Sequence, residues 1–192
     1  MSPKSLAGLV SIIVAIACYL PYISDILKKK TKPHAFSWLV WSVLSGIAFT
    51  VQLTNNGGAG SWLMGLTMLA TFSVFILSLR FGEPNILLVD WLCLLFAGIA
   101  LALWAATDNP LTAIVLISLV DIVGGFLPTF RKSISKPHEE TVITYFLFAI
   151  SLCFSLLALE DFSLVNALYP ATFVVINLAM VFFLNIRRKQ LR

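Results

Sequence analysis

Charged side chains are scarce in this sequence: only 11% of the 192 residues are Asp, Glu, Lys or Arg, while 59% are hydrophobic. A soluble domain of this length needs far more polar surface to stay dissolved, so a soluble globular fold is excluded. The chain also lacks a nucleophile–base motif, a metal-ligand cluster and a phosphate-binding glycine loop. No catalytic residues, no metal site and no cofactor are therefore expected, and the chain does not read as an enzyme. Its three cysteines, Cys18, Cys93 and Cys153, all fall inside apolar runs. Without spaced pairs they read as small core residues rather than disulfide partners or metal ligands. The net charge of +4 is not a nucleic-acid signature, because the basic residues cluster at the ends of apolar runs.

What the chain does have is a succession of such runs. Crossing roughly 30 Å of hydrocarbon takes about 20 apolar residues. The sequence predicts spans at 6–27, 35–53, 61–79, 86–106, 111–130, 141–159 and 164–186. The breaks carry turn chemistry: Lys32-Pro33, Asn55-Asn56-Gly57-Gly58, Gly82-Glu83-Pro84, Asp108-Asn109-Pro110, Lys136-Pro137 and Glu160-Asp161. The first run is too long for a cleaved signal segment and is read as a retained helix.

With the first loop in the cytoplasm and sides alternating, twelve basic residues fall inside: Lys28, Lys29, Lys30, Lys32, Arg80, Arg131, Lys132, Lys136, Arg187, Arg188, Lys189 and Arg192. Only Lys4 falls outside, together with Asp108, Glu160 and Asp161. That asymmetry predicts an outside N-terminus and a cytoplasmic C-terminus. The chain is expected to be a multi-pass protein of the cell membrane, the inner membrane of a bacterium.

An internal repeat adds detail. Leu20-Pro21 is echoed by Leu127-Pro128, Lys32-Pro33-His34 by Lys136-Pro137-His138, and Ala70-Thr71-Phe72 by Ala171-Thr172-Phe173. The echoes keep their order. The predicted fold is thus an all-α membrane protein of seven transmembrane helices. Residues 1–80 and 107–192 form two parallel three-helix repeats, joined by a linker helix at 81–106 (3+1+3).

The stretch from Pro21 to Trp38, PYISDILKKKTKPHAFSW, resembles the PQ-loop motif: a helix-breaking proline, a basic loop, then a Ser-containing helix start. The Gln position is held by Tyr22 in one copy and Thr129 in the other. The layout is similar to the superfamily of PQ-loop proteins, SWEET sugar transporters, PnuC-type vitamin transporters and KDEL receptors, in a bacterial branch. The resemblance implies a transporter of a small polar solute, sugar- or vitamin-like, working by alternating access around a midplane site between the repeats. It also implies that Pro21 and Pro128 act as hinges of the inner gate. SWEET-like transporters hold substrate with an Asn on helices 3 and 7. Here helix 7 supplies Asn177, while helix 3 offers Thr67, Thr71 and Ser73. The alternatives are a ligand or sorting receptor of the KDEL-receptor kind, or a structural membrane partner.

The residues themselves point to the same region. Asp121 falls mid-span, where a carboxylate costs on the order of 2.5–3.5 kcal/mol, so it is read as a substrate or proton site. Asn177 lies mid-span in helix 7, with Asn166 near the outer end. Trp41 and Tyr145 occupy matching positions and could stack on a ring. Trp38 reads as an interfacial anchor. The expected site therefore comprises Asp121, Asn177, Trp41, Tyr145, Thr71 and Ser73, with Pro21, Pro128, Gly124 and Gly125 as hinge. Asp25 is read as pairing locally with Lys28 and Lys29, and Asp90 as serving the dipole of helix 4. His34 and His138 are read as matching loop residues at helix starts. The expected partners are a solute, the lipid bilayer and, through Asp121, a coupling proton. Association with a second copy is compatible with the sequence, whereas nucleic acid is not.

Overall fold

The structure is a computed structural model describing residues 1–106 and 109–191, without some side chains of the fourth helix. Asp108, Arg192 and the Cys93 side chain, which the readings above use, lie outside the described residues.

Among the described residues the chain is helical, with no strand. The elements are α1 (Pro3–Leu27), α2 (Ala35–Thr54), α3 (Trp62–Phe81), α4 (Leu88–Ala105), α5 (Pro110–Val120), a π-helical segment (Asp121–Phe126), α6 (Leu127–Ser135), α7 (Val142–Leu157) and α8 (Leu164–Gln190). Short 3-10 turns cover Gly58–Ser61 and Pro137–Glu139. Among the described residues, five stretches are long and apolar enough to cross a membrane: Pro3–Leu27, Ala35–Thr54, Gly58–Phe81, Pro110–Ser135 and Leu164–Gln190. Val142–Leu157 is apolar but only 16 residues long. The outer surface is rich in large apolar side chains, among them Leu69, Leu79, Val175 and Phe182. A soluble chain would not expose them in such density.

Local chemistry explains the boundaries. Ser2 caps α1 by accepting the Ser5 N–H at 3.0 Å, ahead of Pro3. Asn109 caps α5, its Oδ1 accepting the Leu111 and Thr112 N–H groups at 2.9 and 3.2 Å. Asn56 and Gly58 take left-handed φ values of 56° and 58°, which is why that turn is Asn- and Gly-rich.

The sequence reading of 111–130 as one regular helix is corrected. The helix runs on to Ser135, and its middle is π-wound over Asp121–Phe126. Pro128 is the physical reason. It has no N–H to bond the preceding turn, and its ring crowds that turn's carbonyl. Widening the winding just before it relieves the clash, and Gly124-Gly125 makes the widening inexpensive.

Packing pairs the helices in a recurring pattern. α3 lies against both α1 and α2, and α8 lies against both α5 and α7. Across the middle, α1 meets α7 while α2 meets α5 and the π-helical segment. The α1–α7 seam runs along small residues, Gly8, Ser11, Ala15 and Cys18, spaced three or four apart. They let the backbones come close enough for Ser151 Oγ to donate to the Ser11 carbonyl at 2.6 Å. A Cβ on Gly8 would stand 2.9 Å from both Cβ and O of Ala59.

A second proline inside the bundle is handled differently. Pro170 sits within α8 and cannot donate to the Asn166 carbonyl one turn earlier. The buried Gln52 of α2 donates its Nε2–H to that carbonyl at 2.8 Å. Gln52→Leu is expected to leave the carbonyl unpaired and cost about 1–3 kcal/mol. Pro170→Ala restores the helical N–H, so the double variant should recover stability. Thermal midpoints in detergent read both effects, and equal losses in the single and double variants would sink this account.

Candidate binding site

The helices enclose one central cavity. On one side Cys18 and Tyr19 of α1, Trp38 and Trp41 of α2, and Thr67 and Thr71 of α3 line it. On the other, Phe126 of the π-helical segment, Thr144, Tyr145 and Phe148 of α7, and Phe173 and Asn177 of α8 face them. Water-sized spheres can be centred over about 30 Å³ of it. One water needs roughly 10–15 Å³ on that measure, so the cavity in this form holds about two waters.

Trp41, Tyr145, Thr71 and Asn177, expected from the sequence to be site residues, thus line one cavity, two from each side. Asp121 stands directly behind Trp41. Its side chain is fully buried, and the Trp41 indole Nε1–H donates to Asp121 Oδ1 at 2.8 Å. Asp121 Oδ2, Tyr169 Oη and Ser45 Oγ are buried and without hydrogen-bond partners in the protein. The Tyr169 phenol lies beside Ser45 and within electrostatic reach of Asp121. Tyr169 and Ser45 are placed to partner each other, which leaves Asp121 Oδ2 as the atom here with most to gain from a further partner.

Three readings are corrected, and that of Asp90 is extended. Ser73 is not at the cavity: two residues on from Thr71, it faces outward and donates to the Leu69 carbonyl at 2.9 Å. Successive helical residues diverge by about 100°, so Thr71 and Ser73 cannot share a face. Trp38 is no interfacial anchor. It is buried on the cavity wall, with its ring 4.9 Å from those of both Tyr22 and Trp41. Asp25 accepts a hydrogen bond from Thr141 Oγ1 at 3.0 Å in place of a local lysine pair. Asp90 does cap the start of α4, accepting from the Leu87 N–H at 2.8 Å. Its larger role is a bidentate pair with Arg131 at 2.9 and 2.7 Å.

Pro21 lies inside α1, and Pro128 begins α6 behind the π-helical segment. Gly125 has a packing reason beyond flexibility. A Cβ there would stand 2.4 Å from Trp41 Nε1 and 2.9 Å from Asp121 Oδ1. Asn166 is buried at the far end, donating to the carbonyls of Asn55 at 2.8 Å and Asp161 at 3.0 Å.

One end of the cavity is closed by charge. Lys132 and Glu140, each 2% exposed, form a buried ion pair. Tyr145 donates to Glu140 Oε2 at 2.8 Å, tying this pair to the cavity wall. Lys132 also donates to the Lys32 carbonyl, and Lys32 pairs with Glu139 at 2.7 Å. The loop at 28–34 is thereby stitched to the loop at 136–141, where Thr31 and Thr141 hydroxyls meet at 2.6 Å. The two echoed Lys-Pro-His motifs so come together in space. Their histidines differ: His34 is buried and His138 exposed. Burial pushes His34 below the ordinary value of 6.5 despite Asp90 nearby, with Arg131 and Lys132 adding to the effect. His34 Nε2 lies 3.4 Å from Asp90 Oδ2 against 2.7 Å for Arg131 Nη2, so Asp90 is held chiefly by Arg131. A further pair joins Lys136 to Glu83, both contacts at 2.9 Å. Burial opposes the Glu83 charge, but the Lys136 and Asn85 hydrogen bonds and the charges of Lys136 and Lys132 hold its pKa below the ordinary range.

The sequence reading passed over the Lys132–Glu140 pair and the walls supplied by Tyr19, Phe126, Phe148 and Phe173. Only Glu140, an acid one residue before an apolar run, left a visible signal. Searches against protein-family models, curated proteins and solved structures find no match to this chain.

Proposed function

We propose that the chain is a seven-span membrane transporter of the 3+1+3 kind, similar to PQ-loop and SWEET-like proteins, that moves a small polar solute through the central cavity by alternating access. Its N-terminus would lie outside and its basic C-terminal end in the cytoplasm. The observation that carries this reading is the cavity itself. It is bounded by α1–α3 on one face and by the π-helical segment, α7 and α8 on the other, and it is closed at each end by a separate polar network. The packing pattern supports a pseudo-two-fold repeat, since α1–α7 and α2–α5 contacts exchange under it. Pro21 inside α1 and the π-wound stretch before Pro128 would supply two bending points near the charged end.

In this reading the closed form is an occluded state. Opening the charged end requires parting the loops joined by Lys132, Lys32, Glu139 and Glu140. Opening the other requires releasing Asn166 from Asn55. Proteoliposomes loaded with a hexose, a nucleoside or a small amine should exchange at least one of these with label outside, and Asp121→Asn should cut that exchange at least tenfold. A protein that moves none of them, and whose stability and ligand binding ignore Asp121→Asn, would be a structural bundle.

A further inference from the structure

Most of the donors on the cavity wall are committed elsewhere. Thr67 Oγ1 donates to the Leu63 carbonyl at 2.8 Å, and Thr71 Oγ1 to the Thr67 carbonyl at 2.6 Å. Asn177 Nδ2 donates to the Phe173 carbonyl at 2.8 Å. The Trp41 indole is spent on Asp121, and the Tyr145 hydroxyl on Glu140. Thr144 Oγ1 and Cys18 Sγ donate across the α1–α7 seam to each other's carbonyls, at 3.4 and 3.2 Å. Two donors are left, the Tyr19 hydroxyl beside Thr67 and the Trp38 indole beside Tyr22. What else remains toward the cavity is the lone pairs of Thr71 and of Asn177 Oδ1, plus aromatic ring faces.

Both kinds of surface carry negative potential. Ring faces attract cations, and the attraction grows when water is excluded. Among the described residues no cationic side chain lines the cavity. Behind Trp41 stands an ionisable group without a counter-ion, Asp121, whose Oδ2 has no partner. A free sugar presents many hydroxyls that must both donate and accept, more than the two free donors of this wall can answer. An anion finds no cationic side chain among the lining residues.

We infer that the cavity is a site for a small organic ammonium ion: its N–H groups bond Thr71 and Asn177 Oδ1, its alkyl part rests on the Trp38 and Phe148 rings, and Asp121 supplies the balancing charge from behind Trp41. This inference rests on the reading of the cavity as a solute site, but not on transport. Because the closed cavity holds about two waters, such a ligand enters while one end is open and the walls part around it.

Three probes of one shape separate the alternatives: tert-butylammonium, tert-butanol and pivalate, carrying charges of +1, 0 and −1. Each is titrated at pH 7 into the purified full-length protein in detergent, with tryptophan fluorescence and the thermal midpoint as readouts. The ammonium should bind at least tenfold more tightly than the alcohol, and pivalate should not bind. Asp121→Asn, which keeps a side chain able to accept from Trp41, should shrink that preference to under threefold. If that variant fails to fold, Thr71→Val should weaken the ammonium at least threefold while leaving the midpoint of the free protein nearly unchanged. Equal binding of the alcohol, tighter binding of pivalate, no ammonium binding, or indifference of the preference to both substitutions overturns the inference. Ammonium binding without flux in liposomes would leave it standing and remove the transport reading. Flux of a hexose without ammonium binding would do the reverse.

Discussion

Lys132→Met should lower the thermal midpoint by roughly 6–20 °C. Glu140 would then remain buried beneath the loops with no counter-ion, and breaking a buried pair by removing one partner costs about 3–5 kcal/mol. For a chain of this size each kcal/mol moves the midpoint by about 2–4 °C. The side chains concerned are 2% exposed, so solvent cannot screen the loss. Glu140→Gln should cost a comparable amount by stranding Lys132, although Gln still offers an acceptor to the Tyr145 hydroxyl. The double variant, Lys132→Met with Glu140→Gln, should recover most of the loss, because the expense lies in the unpaired charge and not in the missing attraction. Double-mutant analysis of the midpoints reads that coupling directly. Additive losses would mean that the two groups do not form the pair described. The same substitution bears on gating, since Lys132 also donates to the Lys32 carbonyl and so joins the two loops over the cavity.

Gly125→Ala should be destabilising by about 1–3 kcal/mol, the usual range for overpacking a filled interior. In an ordinary helix the same change is favourable, since glycine costs about 0.5–1 kcal/mol relative to alanine. The sign reverses here because the new Cβ would stand 2.4 Å from Trp41 Nε1 and 2.8 Å from Trp41 Cδ1. Either the indole leaves Asp121 or the π-wound backbone shifts. Trp41 fluorescence should therefore change along with stability. Trp41→Phe combined with Gly125→Ala should cost less than the sum of the two singles, because the smaller ring makes room. Gly98→Ala supplies the contrast. A Cβ there meets nothing within 4 Å, so that variant should be neutral or slightly stabilising. A neutral Gly125→Ala would contradict the close contact of the π-helical segment with α2.

These two cases also show what could be read without coordinates. Apolar runs and turn chemistry placed the helix boundaries within a few residues, because both depend on local sequence alone. Thr71, Trp41, Tyr145 and Asn177 stand out in the sequence as polar or aromatic residues at mid-span depth, and depth follows from counting along a helix. Facing direction does not, as Ser73 shows: it lies at the same depth as Thr71 on the opposite side. Burial that depends on partners remote in sequence was hidden as well. Lys132 read as one more basic residue at a helix end, since nothing in its neighbourhood announces that the loop at 28–34 folds over it. Trp38 read as an anchor for the same reason. The π-helical segment had its cause in plain view, a proline three residues after a glycine pair. The shift in winding, however, needs the neighbouring Trp41 to make it fit. Gln52 and Pro170 stand 118 positions apart in the sequence, and their relation appears only when α2 meets α8.

The central claim is that the cavity between the two halves opens to each side of the membrane in turn. Thr71→Cys, in a chain whose Cys18, Cys93 and Cys153 are replaced by serine or alanine, places one thiol on the cavity wall. In oriented vesicles an impermeant thiol reagent should label it when added to either side alone, at rates that Lys132→Met raises from the charged end. Labelling from one side only under all conditions, or from neither, would contradict the account.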